Sequence, residues 1–203
     1  MAYPTLQTAM VYNPSQPLVL RGLVTEFSDD EFFEFCQANS DLRLERNASG
    51  EIVIMTPAGF VSSAHSGEVV AQLRNWNKQY KLGRVADSSA GYTIPDKSTL
   101  SPDASWFSLA AWAKVPAARR RKFLPICPEF VVEVMSPSDT LAGSQANMEQ
   151  WLQNGVQLGF LITDEPTEAA YIYRPGQPVA TVLGFDNELS GEPVLAGEQA
   201  FQL

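Results

Sequence analysis

Histidine and cysteine are nearly missing from this chain of 203 residues, which has one histidine and two cysteines. Two cysteines without a CxxC motif cannot form a disulfide framework or a cysteine-rich zinc site. His65 would have to act alone in any histidine-dependent active site. GxSxG, GxGxxG and P-loop motifs are also absent from the sequence. These absences argue against zinc enzymes, serine hydrolases and enzymes that use a nucleotide cofactor.

Long apolar runs and an excess of basic residues are lacking as well. No apolar stretch approaches the roughly 20 residues that a membrane-spanning helix needs, and residues 1–20 do not have the pattern of a secretory signal. We therefore expect a cytoplasmic protein with reduced thiols and no membrane partner. The 14 basic and 23 acidic residues give a formal charge of −9, which disfavours non-specific binding to nucleic acid. One dense basic run, Arg119 to Lys122, is interpreted first as a solvated helix end.

The apolar pattern predicts one mixed α/β domain. The hydrophobic content of 45% is typical of a globular protein, and prolines in the first 20 residues suggest an extended arm over 1–24. A single domain over 25–190 and a weakly patterned tail over 191–203 would follow. We expect a central mixed β-sheet flanked by helices. Helices are predicted from Ser28 onwards and over 63–82, 109–122 and 140–154, and strands over 42–46, 51–55, 84–87, 91–94, 104–107, 130–135, 158–163, 169–173 and 179–183.

Two carboxylates stand at predicted strands. Glu133 lies within the run FVVEVM (130–135), which is typical of a strand buried on both faces. A lone carboxylate there is costly to desolvate, so it should be neutralised, paired with an arginine, or bound to a cation. Asp103 lies thirty residues earlier, where the turn Ser101-Pro102 enters the next strand. Pro-Asp alone is a common turn pair, but two acids at strands are the usual components of a metal site.

Several segments together resemble the DUF820 (Uma2) family, which is abundant in cyanobacteria and similar to restriction endonuclease-like proteins of the PD-(D/E)XK superfamily. The resemblance covers about residues 25–180. The order and spacing of these segments is more specific than any one of them. They are GEIVIMTP (50–57), SPDASW (101–106), PEFVVEVMSPSD (128–139), NGVQLGFLI (154–162) and IYRPG (172–176).

The resemblance implies both a fold and a chemistry. It implies a restriction endonuclease-like core and hydrolysis of DNA phosphodiester bonds with Mg²⁺, for which Mn²⁺ can substitute. On that pattern Asp103 and Glu133 would be metal ligands, and Glu68 would be an additional acid on the first long helix. The backbone carbonyl of Val134 would be a further ligand. Mg²⁺ prefers such oxygen ligands. A homodimer is expected by analogy only.

The sequence departs from the superfamily pattern at the lysine that helps to activate the attacking water. Two residues after Glu133 the chain has Met135, and in the family the lysine has typically moved to the following helix. The corresponding position here is Asn147. Loss of one transition-state stabiliser typically costs about 10²–10³ in rate. The sequence therefore supports a Mg²⁺-dependent endonuclease with impaired catalysis, or alternatively an inactive nuclease fold that binds nucleic acid or protein.

Overall fold

A computed structural model describes residues 18–20, 27–163, 167–196 and 200–202. The described part contains four α-helices, one 3₁₀ turn and thirteen short strands. The helices are α1 (Asp29–Ala38), α2 (Phe60–Tyr80), α3 (Leu109–Lys114) and α4 (Leu141–Gln153), and the 3₁₀ turn covers Ala117–Arg119. The strands are β1 (Leu18–Leu20), β2 (Arg43–Arg46), β3 (Ile52–Met55), β4 (Gly83–Asp87), β5 (Tyr92–Thr93), β6 (Thr99–Leu100), β7 (Ala104–Ser108), β8 (Phe130–Val134), β9 (Leu158–Thr163), β10 (Ala169–Tyr173), β11 (Ala180–Leu183), β12 (Glu188–Ser190) and β13 (Ala200–Gln202).

A six-stranded sheet forms the centre of the protein. Its strand order is β11-β10-β9-β8-β7-β4. Strands β8 and β9 are parallel, while the other neighbours are antiparallel. A second, five-stranded sheet has the order β1-β3-β2-β6-β5, and β12 pairs with β13. This confirms the predicted mixed α/β class with a central sheet and helices against it.

Helices α2 and α4 cover opposite faces of the central sheet. Val69, Leu73 and Trp76 of α2 pack with alternate residues of β7 to β10 in one buried cluster. Met148 and Trp151 of α4 pack on the other face in a second cluster. Because side chains of a strand alternate between faces, β7 and β8 contribute to both clusters. The buried run Phe130–Val134 is therefore a central strand, as its β-branched sequence predicts.

The sequence predicts an arm and a tail at the two ends of the chain. Most of 1–24 lies outside the described residues, but β1 pairs with β3 at the edge of the second sheet. Near the other end, Leu195 is fully buried in the cluster under α2. The carbonyl of Ala196 accepts a hydrogen bond from Trp76 Nε1 at 3.2 Å. Among the described residues, no helix combines the length and the apolar character that crossing a membrane requires.

The sequence predicts a helix to residue 82, and Gly83 directly after it is the residue type expected at a left-handed helix cap. The helix ends earlier, with Lys81 in the left-handed conformation at φ 56°. Gly83 instead begins β4, where it lies against β7. A Cβ at this position would be 2.2 Å from Phe107 O and 2.3 Å from Trp106 Nε1. The glycine is required by this close approach rather than by a helix cap.

Gly83→Ala should therefore destabilise the protein by about 1–3 kcal/mol, the usual cost of forcing an extra carbon into a packed core. Gly67→Ala is the matched control, because Gly67 is exposed within α2 and a Cβ added to it would meet no atom within 4 Å. Removing a glycine from a helix interior should stabilise by about 0.5–1 kcal/mol. Urea denaturation of both variants checks the two signs. Equal effects at both positions would contradict the packing argument.

Candidate active site

Asp103 and Glu133 meet at one end of the central sheet. In the β7–β8 pair Ala104 lies opposite Val132, so the same register places Asp103, one residue before β7, opposite Glu133. Directly opposite residues point to the same side of a sheet, with Cβ atoms about 4.5–5.5 Å apart. The backbone N–H of Val134 donates to Asp103 Oδ2 at 2.8 Å. The two acids that the sequence singled out are therefore neighbours.

Helix α4 holds the carboxyl group of Glu133. Its Oε1 accepts hydrogen bonds from Asn147 Nδ2 at 3.1 Å and from Trp151 Nε1 at 2.8 Å. Asn147 and Trp151 are four residues apart and so lie on the same helix face. Burial, followed by repulsion from Asp103, raises the pKa of Glu133 well above 4.5. Within the described residues both hydrogen bonds go to Oε1, which leaves Oε2 for another ligand.

Asp103 is buried at the turn that leads into β7. Burial raises the pKa of its carboxyl group, while the hydrogen bond from Val134 and the positive charge of Arg43 oppose the rise. Arg43 does not form an ion pair with Asp103 or Glu133 among the described residues. Neither acid is thus neutralised by an arginine there. The role of the Val134 carbonyl as a ligand stays a prediction, since only its N–H contacts an acid here.

A third acid, Glu45, joins this group from the second sheet. Glu45 Oε1 accepts a hydrogen bond from the backbone N–H of Ser101 at 2.8 Å, and Arg43 donates to Ser101 O at 3.1 Å. Two side chains of β2 therefore fix the turn that precedes Asp103. Burial raises the pKa of Glu45 to about 7, and the charge of Asp103 adds to the rise. Glu45 in turn contributes to the raised pKa of Glu133.

Sequence reasoning missed Glu45 because its local pattern points the other way. Arg43 and Glu45 alternate with Leu42 and Leu44, which is the pattern of a strand with one solvated face. Only the pairing of Arg46 on β2 with Thr99 on β6 brings Glu45 beside the Ser101 turn. No local signal in the sequence reveals that contact. The acid is found only when the two sheets are seen together.

Glu68 lies apart from the three acids. Its side chain is exposed on α2 and accepts a hydrogen bond from Gln72 Nε2 at 2.9 Å. Ser66, whose hydroxyl donates to Ser62 O at 2.9 Å and lies close enough to the Asp103 carboxyl group to lower its pKa, is two residues earlier and about 200° around the helix. His65 packs against Phe185. The structure thus brings together Asp103, Glu133 and Asn147 and leaves Glu68 on the outer face of α2.

The chemistry of this site suits a hard divalent cation. These carboxyl groups are part-buried, Asp103 raises the pKa of both Glu45 and Glu133, and Glu45 also raises that of Glu133. A bound divalent ion would relieve that repulsion. Within the described residues, however, no three histidine, cysteine, aspartate or glutamate side chains are arranged so that they could hold a metal ion. A cation would therefore be held by two carboxylates with water completing its shell, as is common for Mg²⁺, or the acids would have to move closer together.

The raised pKa of Glu45 predicts how stability depends on pH in the presence of a chelator. Between pH 4.5 and about 7 the folded protein keeps a proton that the unfolded chain has lost. The free energy of unfolding should therefore fall as the pH rises through this range, by at most about 1.4 kcal/mol per pH unit. This stabilising contribution is complete below pH 4.5 and lost above about 7.

Glu45→Gln should flatten this dependence, because the variant has no proton to release at that position. Urea denaturation at several pH values compares the two proteins. Part of the slope should remain in the variant, since the pKa values of Asp103 and Glu133 are also raised. Identical slopes in both proteins would show that Glu45 titrates normally.

A mixed sheet with buried acids at the ends of adjacent strands is a restriction endonuclease-like arrangement. The chain belongs to the Uma2 family, whose model, described as "Putative restriction endonuclease", matches residues 29–203. No curated protein matches the chain.

Among solved structures, the chain is similar to a crystal structure from Anabaena variabilis that is described as "a putative nuclease belonging to DUF820". The TM-score is 0.65 at 22% sequence identity, with 87% of this chain and 94% of that chain covered. This likeness supports the same fold and confirms the resemblance stated from the sequence.

Proposed function

We propose that the protein is a metal-dependent nuclease that hydrolyses DNA phosphodiester bonds at the site formed by Asp103, Glu133 and Glu45. The observation that carries the proposal is the meeting of Asp103, Glu133 and Glu45, each with a raised pKa, where β7, β8 and β2 approach one another. Membership of the Uma2 family supports DNA as the substrate class. A homodimer that addresses two strands is proposed on the same analogy.

Each residue of the site would have its own role in the reaction. Asp103 and Glu133 would hold Mg²⁺ or Mn²⁺, and Glu45 would add a further carboxylate or bind a metal-ligated water. A divalent ion held there polarises a phosphate and lowers the pKa of a bound water. Trp151 and Asn147 fix the orientation of Glu133 through its Oε1. Asn147 can also hydrogen-bond a water, but it carries no positive charge to stabilise the transition state.

The missing charge at Asn147 favours one alternative function, a nuclease fold that binds nucleic acid or protein without cutting it. In the described residues no lysine or arginine forms an ion pair with Glu133 or Asp103. The two functions differ in their need for a metal ion. A protein that binds its partner equally well in chelator, and that never cleaves it, would be the inactive form.

Titration calorimetry with Mn²⁺, followed by a plasmid-nicking assay, tests the proposal. The wild type should bind Mn²⁺ and nick DNA slowly, and Asp103→Ala should lose both properties. Glu149→Ala is the matched control, because Glu149 is an exposed acid on α4. Metal binding without nicking would favour the binding module. A folded wild type that is indifferent to Mg²⁺ and Mn²⁺ would refute the metal site.

Comparison of Glu45→Ala with Glu68→Ala identifies the third acid. We expect Glu45→Ala to weaken Mn²⁺ binding, because Glu45 interacts with both other carboxyl groups. Glu68→Ala should leave it unchanged, since Glu68 is exposed and bonded to Gln72. The opposite result would restore the assignment of Glu68 that the family resemblance implies.

A further inference from the structure

A cavity of about 510 Å³ lies beside the far end of β7. We call it the basic pocket. Its walls include Arg84 on β4, Trp112 on α3, Phe33 on α1, and the segment Arg120–Leu124. Four of the residues that line it are basic and none is acidic. This is unusual for a protein whose formal charge is −9.

The basic run ends a 3₁₀ turn, and its Arg120 and Arg121 are exposed as the sequence suggests, but the residues that follow are tied into the fold. Helix α3 ends at Lys114 and the 3₁₀ turn at Arg119. The chain then runs beside β5, with Thr93 N donating to Leu124 O at 2.9 Å and Leu124 N donating to Gly91 O at 3.0 Å. The ring of Phe123 packs directly on Gly91, so that a Cβ added to this glycine would be only 2.4 Å from Phe123 Cδ1. These contacts fix one wall of the pocket.

Two of the arginines make cation–π contacts with Trp112. The guanidinium carbon of Arg120 lies 4.6 Å from the centre of its ring, and that of Arg84 lies 5.5 Å away. No carboxylate pairs with Arg84, Arg120 or Arg121 within the part of the chain that the structure describes. Two positive charges near one indole repel each other, and a bound anion would offset that repulsion. The arrangement is therefore prepared for an anionic ligand.

The positive charges of two neighbouring basic residues, Arg119 and Lys122, are neutralised by acids of α1. Lys122 lies 3.2 Å from Asp30 and 3.9 Å from Glu34, and Arg119 also pairs with Asp30. The acids of α1 thus neutralise the side of the basic run that faces them. The charges that face the pocket, on Arg84, Arg120 and Arg121, are left over. Arg120 also donates its Nε–H to the carbonyl of Val115 at 3.1 Å. Each guanidinium group presents a planar set of donors, which suits a phosphate group better than an ammonium would.

We propose that the basic pocket binds one nucleoside monophosphate unit. Its phosphate would pair with Arg84, Arg120 and Arg121, and its base would pack against the aromatic wall of Phe33 and Phe123. A cavity of this size accommodates one such unit, and arginine with aromatic side chains is the usual combination for unpaired nucleotides. The unit can come from a single strand of nucleic acid or from a free nucleotide.

The position of the pocket relates it to the acids. Phe107 on β7 also lines the pocket, and Asp103 immediately precedes β7. The two residues are four positions apart on the same face of the strand, a distance of about 13 Å. A nucleic-acid strand with one nucleotide in the pocket would thus reach the acid site within a few nucleotides. The binding of such a strand rests on the proposed nuclease function, whereas the binding of a single nucleotide by the pocket does not.

Binding in EDTA tests the pocket without any contribution from a metal or from cleavage. A labelled single-stranded oligonucleotide is titrated by fluorescence anisotropy, and dAMP by calorimetry, both at low salt. The double variant Arg84→Gln with Arg120→Gln should weaken binding about tenfold or more. The slope of log K against log salt concentration should fall by about one for each phosphate contact that is lost. Lys78→Gln with Lys81→Gln is the control, since both lysines are exposed at the end of α2 and the change of charge is equal.

The outcomes separate the sources of the ligand. If the oligonucleotide binds and its binding is lost only in the arginine variant, the ligand is a single strand of nucleic acid. If dAMP gives this result, the ligand is a free nucleotide. Absence of binding by either probe, or equal loss in both double variants, overturns the proposal. If the arginine pair is needed for folding, Arg121→Gln gives the same test, because Arg121 is exposed. Failure here leaves the metal titration of the acid site unaffected.

Discussion

Asn147→Lys is expected to raise Mg²⁺- or Mn²⁺-dependent DNA cleavage by about 10²–10³-fold, the usual value of one transition-state stabilising group. Asn147 is placed for this role, because its amide already contacts Glu133 Oε1 at 3.1 Å. A lysine there would bring a positive charge to a buried carboxyl group that has no ionic partner among the described residues. It would also lower the pKa of Glu133 and so favour the ionised form that binds metal.

The control for this prediction is Ala146→Lys, which adds the same charge at an exposed position one residue away on α4. Single-turnover cleavage by both variants, with the melting temperature as a check of folding, makes the comparison. The double variant Asn147→Lys with Asp103→Ala should be inactive. A folded, metal-bound Asn147→Lys protein that cuts no faster than the wild type would show that Asn147 is not the lysine position.

The elements of the fold were largely predictable because their signals are local. The capping box of Ser28 and Glu31 marks the start of α1, and it forms as the sequence indicates. The β-branched run around Glu133 predicts a central strand, which β8 is. By contrast, the division into two sheets depends on pairings such as Tyr92 with Leu100. These pairings involve very short strands whose sequences carry little periodicity.

The candidate site was predictable where the acid interrupts an apolar pattern. A carboxylate inside FVVEVM conflicts with its surroundings, and such local conflicts often mark functional sites. Glu45 produces no such conflict, because an acid at an alternating strand position looks solvated. Glu68 shows the reverse: the family resemblance implies a role for it as a helix acid, but its side chain is exposed on α2. Tertiary contacts decide both residues, and one sequence does not contain them.

Glu133→Gln is expected to make the protein more stable and functionless at the same time. Glutamine has the same shape, and its Oε1 can still accept the hydrogen bonds from Asn147 and Trp151. The substitution removes a part-buried ionisable group whose pKa is raised by burial and by two neighbouring acids. The gain should be about 1 kcal/mol at pH 8, which corresponds to a rise of about 2–4 °C in the melting temperature.

The same change should weaken Mn²⁺ binding and reduce cleavage at least about 10²-fold, because an amide oxygen carries no full charge to hold the ion. Thermal melts in chelator and in Mn²⁺ measure both effects: Mn²⁺ should stabilise the wild type and not the variant. Glu149→Gln, at an exposed position of α4, should change neither property. A variant that is less stable in chelator would mean that Glu133 is a structural acid, kept for its hydrogen bonds to α4 and not for a cation.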